Sequence, residues 1–288
     1  MVELSPIIAG AMNWGIWGRN LQSEEMAVAM NVCVDNSITT FDHADIYGNY
    51  TTEAEFGRAW HRSGISRDRM QLSSKCGIQL VCDGRPTCIK HYNYSREHIL
   101  ASVENSLRNL KTDYLDVLLL HRPSPLMQPE IIAESIATLQ QQGKVRDFGL
   151  SNFSPSQSEL IRKWLEISYN QIEFSVTCNE AMTNGSLDYM QMQNIRPMAW
   201  NPLGCVFRAD TLQTERMLKL LARLQMKYDC APETILLAWI LRHPGRIIPV
   251  VGTVNPERVA KLMDATKLVL DDEDWFELWE QSTGTPVA

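Results

Sequence analysis

Eight short apolar runs alternating with longer amphipathic ones predict a closed (β/α)8 barrel of the TIM-barrel class. A single domain is expected over residues 1–288, with extra helices at the C-terminal end. Two further observations point the same way. The run 114–120, YLDVLLL, is almost continuously apolar, as strands buried on both faces of a parallel sheet are. The turn after the first run, AGAMNWG, lacks the G-x-G-x-x-G spacing that a doubly wound dinucleotide fold places there.

The strands are expected in order at 7–10 (IIAG), 38–41 (ITTF), 70–75 (MQLSSK) and 114–120. They continue at 145–150 (VRDFGL), 168–173 (SYNQIE), 196–200 (RPMAW) and 246–251 (RIIPVV). Each run is of strand length and gives way to polar or turn residues. The first helix, 24–35, follows Ser23 and carries Glu24 and Glu25 in its first turn, where acids complement the helix dipole. Thr52-Glu53-Ala54-Glu55 opens a second, to about residue 62. A third, 96–110, begins after Ser95 and sets Ile99, Leu100, Val103, Leu107 and Leu110 at helical spacing. Helices 129–142, 155–165 and 186–194 follow the fourth, fifth and sixth strands. The pair 213–228 and 232–242 precedes the eighth strand, and 256–264 and 272–281 follow it.

The 288 residues are 44% hydrophobic and 21% charged, enough for one large core. Lysine and arginine number 27 against 34 acids, a net charge of −7, so neither nucleic acid nor an anionic membrane is an expected partner. An anionic ligand needs local positive charge against that background. Seven cysteines at irregular spacing read as reduced thiols and a cytoplasmic location. The start, MVELSPIIAG, lacks the basic-then-apolar pattern of a secretory signal, and no apolar window approaches the ~18 residues of a membrane span. The expected partner is a small molecule, and the chain is expected as a monomer or weak oligomer.

A barrel of this class builds its site at the C-terminal ends of the strands. There the second run presents Asp42, with Tyr47 in the following loop; SSKCG presents Lys75, and LLLHRP presents His121. One such residue alone is ordinarily structural, and the Asp-rich stretch 39–50 alone reads as a solvated turn. Four from three consecutive strands at one rim are harder to set aside. Lysine and aspartate are rarely buried unless paired, and Lys75 and Asp42 are natural partners. A phenol, an ammonium, a carboxylate and an imidazole together suit proton transfer at a carbonyl or alcohol. A neighbouring ammonium is expected to lower the phenol's pKa, with Asp42 holding Lys75 and His121 orienting the substrate oxygen. No serine or cysteine nucleophile stands with a base, which disfavours acyl transfer. Asp42, His43, Asp45 and His121 are conceivable ligands of a divalent ion, but no second His or carboxylate pair ends strands five to eight, so no metal is expected. Cys82, Cys88 and His91 lack paired CxxC spacing and read as loop packing.

The motifs FDHADIYG, SSKCG, LLLHRP, FGLSNF, NQIEFS, AWNPLG and PVVGTVNPERV resemble, in order and spacing, those of the aldo-keto reductase superfamily. The likeness runs from IIAGAMNWG to about residue 264. It implies NADPH-dependent reduction of aldehydes or ketones, NAD being less favoured, with Tyr47 as general acid and Asp42, Lys75 and His121 completing the tetrad. The same resemblance implies that Ser151, Asn152 and Gln171 hold the nicotinamide carboxamide, groups well matched to an amide. It implies that Trp200 stacks on the nicotinamide ring and that Pro202, Leu203 and Gly204 cover the pyrophosphate. Gly252 and Thr253 open a turn suited to phosphate, and Arg258 matches the position that grips the 2′-phosphate. Lys261 and Leu262 depart from the Glu and Asn that many members turn toward adenine. Trp14 and Tyr50 are expected to line an apolar entrance, and loop 76–94 to close over the ligand. His43 is assigned no role. The competing reading is a nucleotide-binding regulatory or scaffolding subunit with little turnover; the intact set of four favours the enzyme.

Overall fold

The computed structural model describes residues 1–287. Eight parallel strands close into a barrel: β1 (Ile8–Gly10), β2 (Thr40–Asp42), β3 (Gln71–Cys76), β4 (Leu115–Leu120), β5 (Val145–Ser151), β6 (Tyr169–Glu173), β7 (Arg196–Trp200) and β8 (Ile248–Val251). Strands adjacent in sequence are adjacent in the barrel, and β1 closes the ring against β8, with Ile8 opposite Val250. All eight expected runs are strands. The ten expected helices are present too, the ninth as Pro256–Leu262 continued by a 3-10 turn, Met263–Thr266. The segment 76–94 differs from a plain loop: Ile78–Gln79 pairs antiparallel with His91–Tyr92.

The continuous apolar character of β4 has its reason in two hydrophobic layers. Val117 and Leu119 face into the barrel with Ile8, Tyr169, Met198, Ile248 and Val250. Leu118 and Leu120 face outward into the larger layer beneath the helices. Alternation along a strand then decides where Lys75 goes. Ser73 and Lys75 pair with Val117 and Leu119, so both share the inward face, and Lys75 stands nearer the C-terminal mouth. At the opposite end of β4, buried Asp116 is held by Arg67 and Arg146 at 2.6 and 3.1 Å.

The C-terminal helix Asp272–Thr283 packs on Leu212–Tyr228 and Pro232–Leu241. Trp239 and Trp275 stack at 5.0 Å, and each indole donates to the other's carbonyl at 3.0 Å. Among the described residues, no helix is long and apolar enough to cross a membrane.

Candidate active site

At the mouth the ends of β2, β3 and β4 bring the four expected residues together. The Lys75 Nζ donates to Asp42 Oδ2 at 2.7 Å, to the His43 carbonyl at 2.7 Å and to the Tyr47 hydroxyl at 3.2 Å. Three donors meet three acceptors, so the ammonium is fully satisfied although only 1% exposed. Ser73 Oγ donates to Asp42 Oδ1 at 3.1 Å and fixes the carboxylate's other oxygen. Tyr47 begins a single helical turn, Tyr47–Tyr50, whose Gly48 and Asn49 have φ of 59° and 56°. This bend returns the phenol to the barrel axis. The His121 ring lies 6.1 Å from the Tyr47 ring, edge to face.

Burial opposes the Lys75 charge, but Asp42 and the Tyr47 oxygen outweigh it, and the Lys75 pKa lies above the ordinary lysine value. The expectation that Lys75 brings the Tyr47 pKa down is corrected. Burial of the phenol dominates, Lys75 acts against it, and the net direction is up. A phenol kept protonated at neutral pH is a proton donor, and the ammonium beside it favours the phenolate left once the proton goes. Burial, reinforced by Lys75, Arg122 and Lys90, pushes the His121 pKa well down, so the imidazole is neutral at pH 7. Its buried Nδ1 has no partner. The site therefore offers an uncharged proton donor, a fixed cation behind it and a neutral imidazole beside it.

A second layer of ionisable groups lies under the tetrad. His43 is fully buried, edge-on to Phe56 at 4.3 Å, and burial followed by Lys75 lowers its pKa to about 3. It packs beneath the loop. Burial raises the pKa of Glu53, which accepts from Ser74 Oγ at 2.6 Å; burial and Glu53 raise that of Asp45. Glu53 carried no signal in the sequence beyond an acid in a first helical turn. Among the described residues, no group of three or more His, Cys, Asp or Glu is arranged to hold a metal.

The expected dinucleotide residues occupy the ends of β5, β6, β7 and β8. Ser151 and Gln171 are paired neighbours and buried. Asn152 donates to Ser151 Oγ at 2.8 Å and accepts from the Trp200 indole at 3.0 Å. Gln171 Nε2 is buried without a partner. That amide is costly to leave unmatched, and a carboxamide oxygen matches it. Gly204 has φ +57, and a Cβ there would stand 1.9 Å from Thr177 Oγ1. Arg208 braces the same loop, 202–204 included, by donating to the Gly204 carbonyl and Asn201 Oδ1, each at 2.5 Å. Thr253 and Arg258 flank the start of helix Pro256–Leu262, where Asn255 accepts from the Arg258 N–H at 3.2 Å. Arg258 and Gly252 are exposed. These residues fit a nicotinamide dinucleotide.

Of the two expected entrance aromatics, Trp14 is misplaced. It is fully buried, 6.0 Å from both Phe41 and Phe56, because the turn after β1 folds down onto the core. Trp17 stands at the mouth instead, 39% exposed and 6.1 Å from the Tyr47 ring, with its indole bonded to Asn49 at 3.1 Å. Tyr50 is half-buried at the rim; its hydroxyl accepts from Leu80 N at 3.0 Å and so anchors the hairpin segment.

The model of the Aldo/keto reductase family matches residues 6–281. An oxidoreductase of Bacillus subtilis named YcsN, described as uncharacterised, is 41% identical over 98% of this chain and 96% of its own. A 6-dehydroglucose reductase of Agrobacterium fabrum is 36% identical over 100% of this chain and 97% of its own. An aldo/keto reductase of Klebsiella pneumoniae, solved in complex with NADP and acetate, shares the fold: TM-score 0.79, 24% identity, 98% of this chain and 93% of that one covered.

The raised Lys75 pKa sets the sign of a stability effect. Its pairing stabilises the fold fully below the unfolded lysine pKa, near ~10.4, and the contribution is lost as pH rises through the raised folded value. Asp42→Asn leaves the buried ammonium without its carboxylate, at an expected cost of about 3–5 kcal/mol near neutral pH. The gap to the parent protein should narrow toward about pH 10, where the unpaired lysine sheds its proton. Urea unfolding of both proteins at the two pH values checks this; a gap that does not change with pH contradicts it.

Proposed function

The chain belongs to the aldo/keto reductase family, and on that premise we propose that it reduces aldehydes or ketones to alcohols with NADPH. The observation that carries the reading is the Tyr47 hydroxyl 3.2 Å from an ammonium held at 2.7 Å by Asp42. When bound, the dinucleotide would supply the hydride that the carbonyl carbon takes up. Tyr47 gives its proton to the carbonyl oxygen. Lys75 stabilises the phenolate that results, a gain larger after transfer than before it. Asp42 keeps Lys75 charged and aimed at the hydroxyl. Neutral His121 donates a hydrogen bond to the carbonyl oxygen and sets its direction.

Gln171 Nε2, with Ser151 and Asn152, would hold the carboxamide, and Trp200 would pack on the ring. Pro202, Leu203 and Gly204 would lie over the pyrophosphate. Gly252 and Thr253 lend open backbone near the adenosine end, and Arg258 offers a planar fork to a 2′-phosphate, the basis for NADPH over NADH. The NADP complex of the Klebsiella protein agrees with this choice, though its likeness is one of fold. The name of the Agrobacterium relative brings sugar-derived aldehydes into the class to be screened. Seven free cysteines suit a reducing compartment, and we place the protein in the cytoplasm.

Tyr47→Phe should cut carbonyl reduction by about 10²–10⁴-fold, the usual worth of a general acid, with NADPH affinity nearly unchanged. NADPH oxidation with a reactive aromatic aldehyde measures the first and fluorescence titration the second. Reduction at the parent rate means that another group is the acid; tight NADPH binding with no turnover on any aldehyde or ketone favours a regulatory subunit. In Arg258→Ala, NADPH affinity should fall about tenfold or more, as for a lost charge-assisted contact, and NADH affinity much less. Equal losses for the two nucleotides remove Arg258 from the 2′-phosphate.

A further inference from the structure

Arg122 follows His121 at the end of β4, and its guanidinium lies 5.8 Å from the centre of the Trp200 ring. Six other arginines (62, 67, 146, 162, 223 and 242) pair with carboxylates. The half-buried Arg122 guanidinium has no ion pair and donates no side-chain hydrogen bond among the described residues. Eleven further arginines also lack an ion pair among the described residues; what sets Arg122 apart is its place beside His121 and Trp200.

Its backbone is held firmly. The buried Tyr94 hydroxyl donates to the Arg122 carbonyl at 2.5 Å and accepts from the Arg122 N–H at 3.2 Å. Gly77 makes room for the clamp: its φ is +111°, and a Cβ there would stand 2.1 Å from the Tyr94 ring. Two more cations come from the same segment, 76–94. Arg85 lies 3.6 Å over the Tyr50 ring, and Lys90 is exposed; neither has a carboxylate partner among the described residues. Asp45, a carboxyl near Arg85, is pushed toward its neutral form by burial and by Glu53. Arg122 and Lys90 both add to the lowering of the His121 pKa.

We propose that Arg122 is the anion-binding residue of the substrate pocket, and that the preferred carbonyl substrates carry a carboxylate. This deepens the reductase reading and rests on it. A guanidinium presents two parallel N–H groups matched to a carboxylate, and partial burial protects that contact from the screening that weakens surface pairs. Trp200 supports the cation from its ring face. Arg85 and Lys90 at the rim raise the encounter rate of anions in a salt-dependent way.

The test compares 4-carboxybenzaldehyde with its methyl ester, which differ in charge and little in shape near the aldehyde. In the parent protein the acid should have the higher kcat/KM by about ten- to a hundredfold, the worth of a hydrogen-bonded charge pair. In Arg122→Gln the acid should lose at least tenfold more than the ester, and Arg122→Lys should keep part of the preference. In parallel, calorimetry follows benzoate binding to the NADPH-loaded parent and Arg122→Gln proteins. Equal kcat/KM for acid and ester in the parent, or equal losses in Arg122→Gln, overturns the proposal. So does a fall in NADPH affinity as large as the loss on the acid, or an equal Arg122 dependence for neutral glyceraldehyde. If neither aldehyde is reduced, yet benzoate binds the parent and not Arg122→Gln, the reductase reading fails and the anion site stands.

Discussion

A lysine ammonium in a barrel interior is tolerable only with its charge matched and its three protons taken, and this requirement organises the site. Lys75 meets it with Asp42, the His43 carbonyl and the Tyr47 hydroxyl. Removing the carboxylate strands the cation, and removing the cation strands a buried carboxylate. Tyr47 is thereby tied to the barrel by the group that makes its deprotonated form acceptable. The buried pair is thus a device for position more than for net stability.

The scaffold dictates which residues can meet this way. A strand turns alternate side chains inward, so a lysine two residues beyond an inward serine must face the barrel axis. β2 and β3 pair with Asp42 opposite Ser73, which brings the carboxylate level with the serine that bonds it. His121 stands two residues beyond inward Leu119, so the same alternation carries the histidine to the mouth at the end of β4. The residues proposed for the dinucleotide lie at the ends of β5 to β8, and those proposed for proton transfer at the ends of β2 to β4.

Much of this was legible in the sequence for a physical reason. Barrel strands are buried on both faces, and their apolar runs end abruptly where the site begins, so Asp42, Lys75 and His121 announce themselves as polar residues at the ends of such runs. Loops carry no such periodicity. Trp14 and Trp17 lie in one short turn, and only the turn's path decides that the first is core and the second stands by Tyr47. The direction of the Tyr47 pKa is not legible in the sequence, which reveals a charged neighbour and conceals burial, and burial is the larger influence here. Arg122 was hidden by its place beside a more conspicuous histidine. Its interest comes from an unpaired charge set beside His121 and Trp200, a placement that only coordinates reveal.

The central claim is that Lys75 acts on the reaction through the Tyr47 hydroxyl. A double-mutant cycle on kcat for carbonyl reduction, using Tyr47→Phe, Lys75→Met and both together in folded protein, tests it most directly. If the two residues act as a unit, the double variant is about as slow as the slower single variant. Losses that multiply would show that lysine and phenol contribute separately, and would contradict the account.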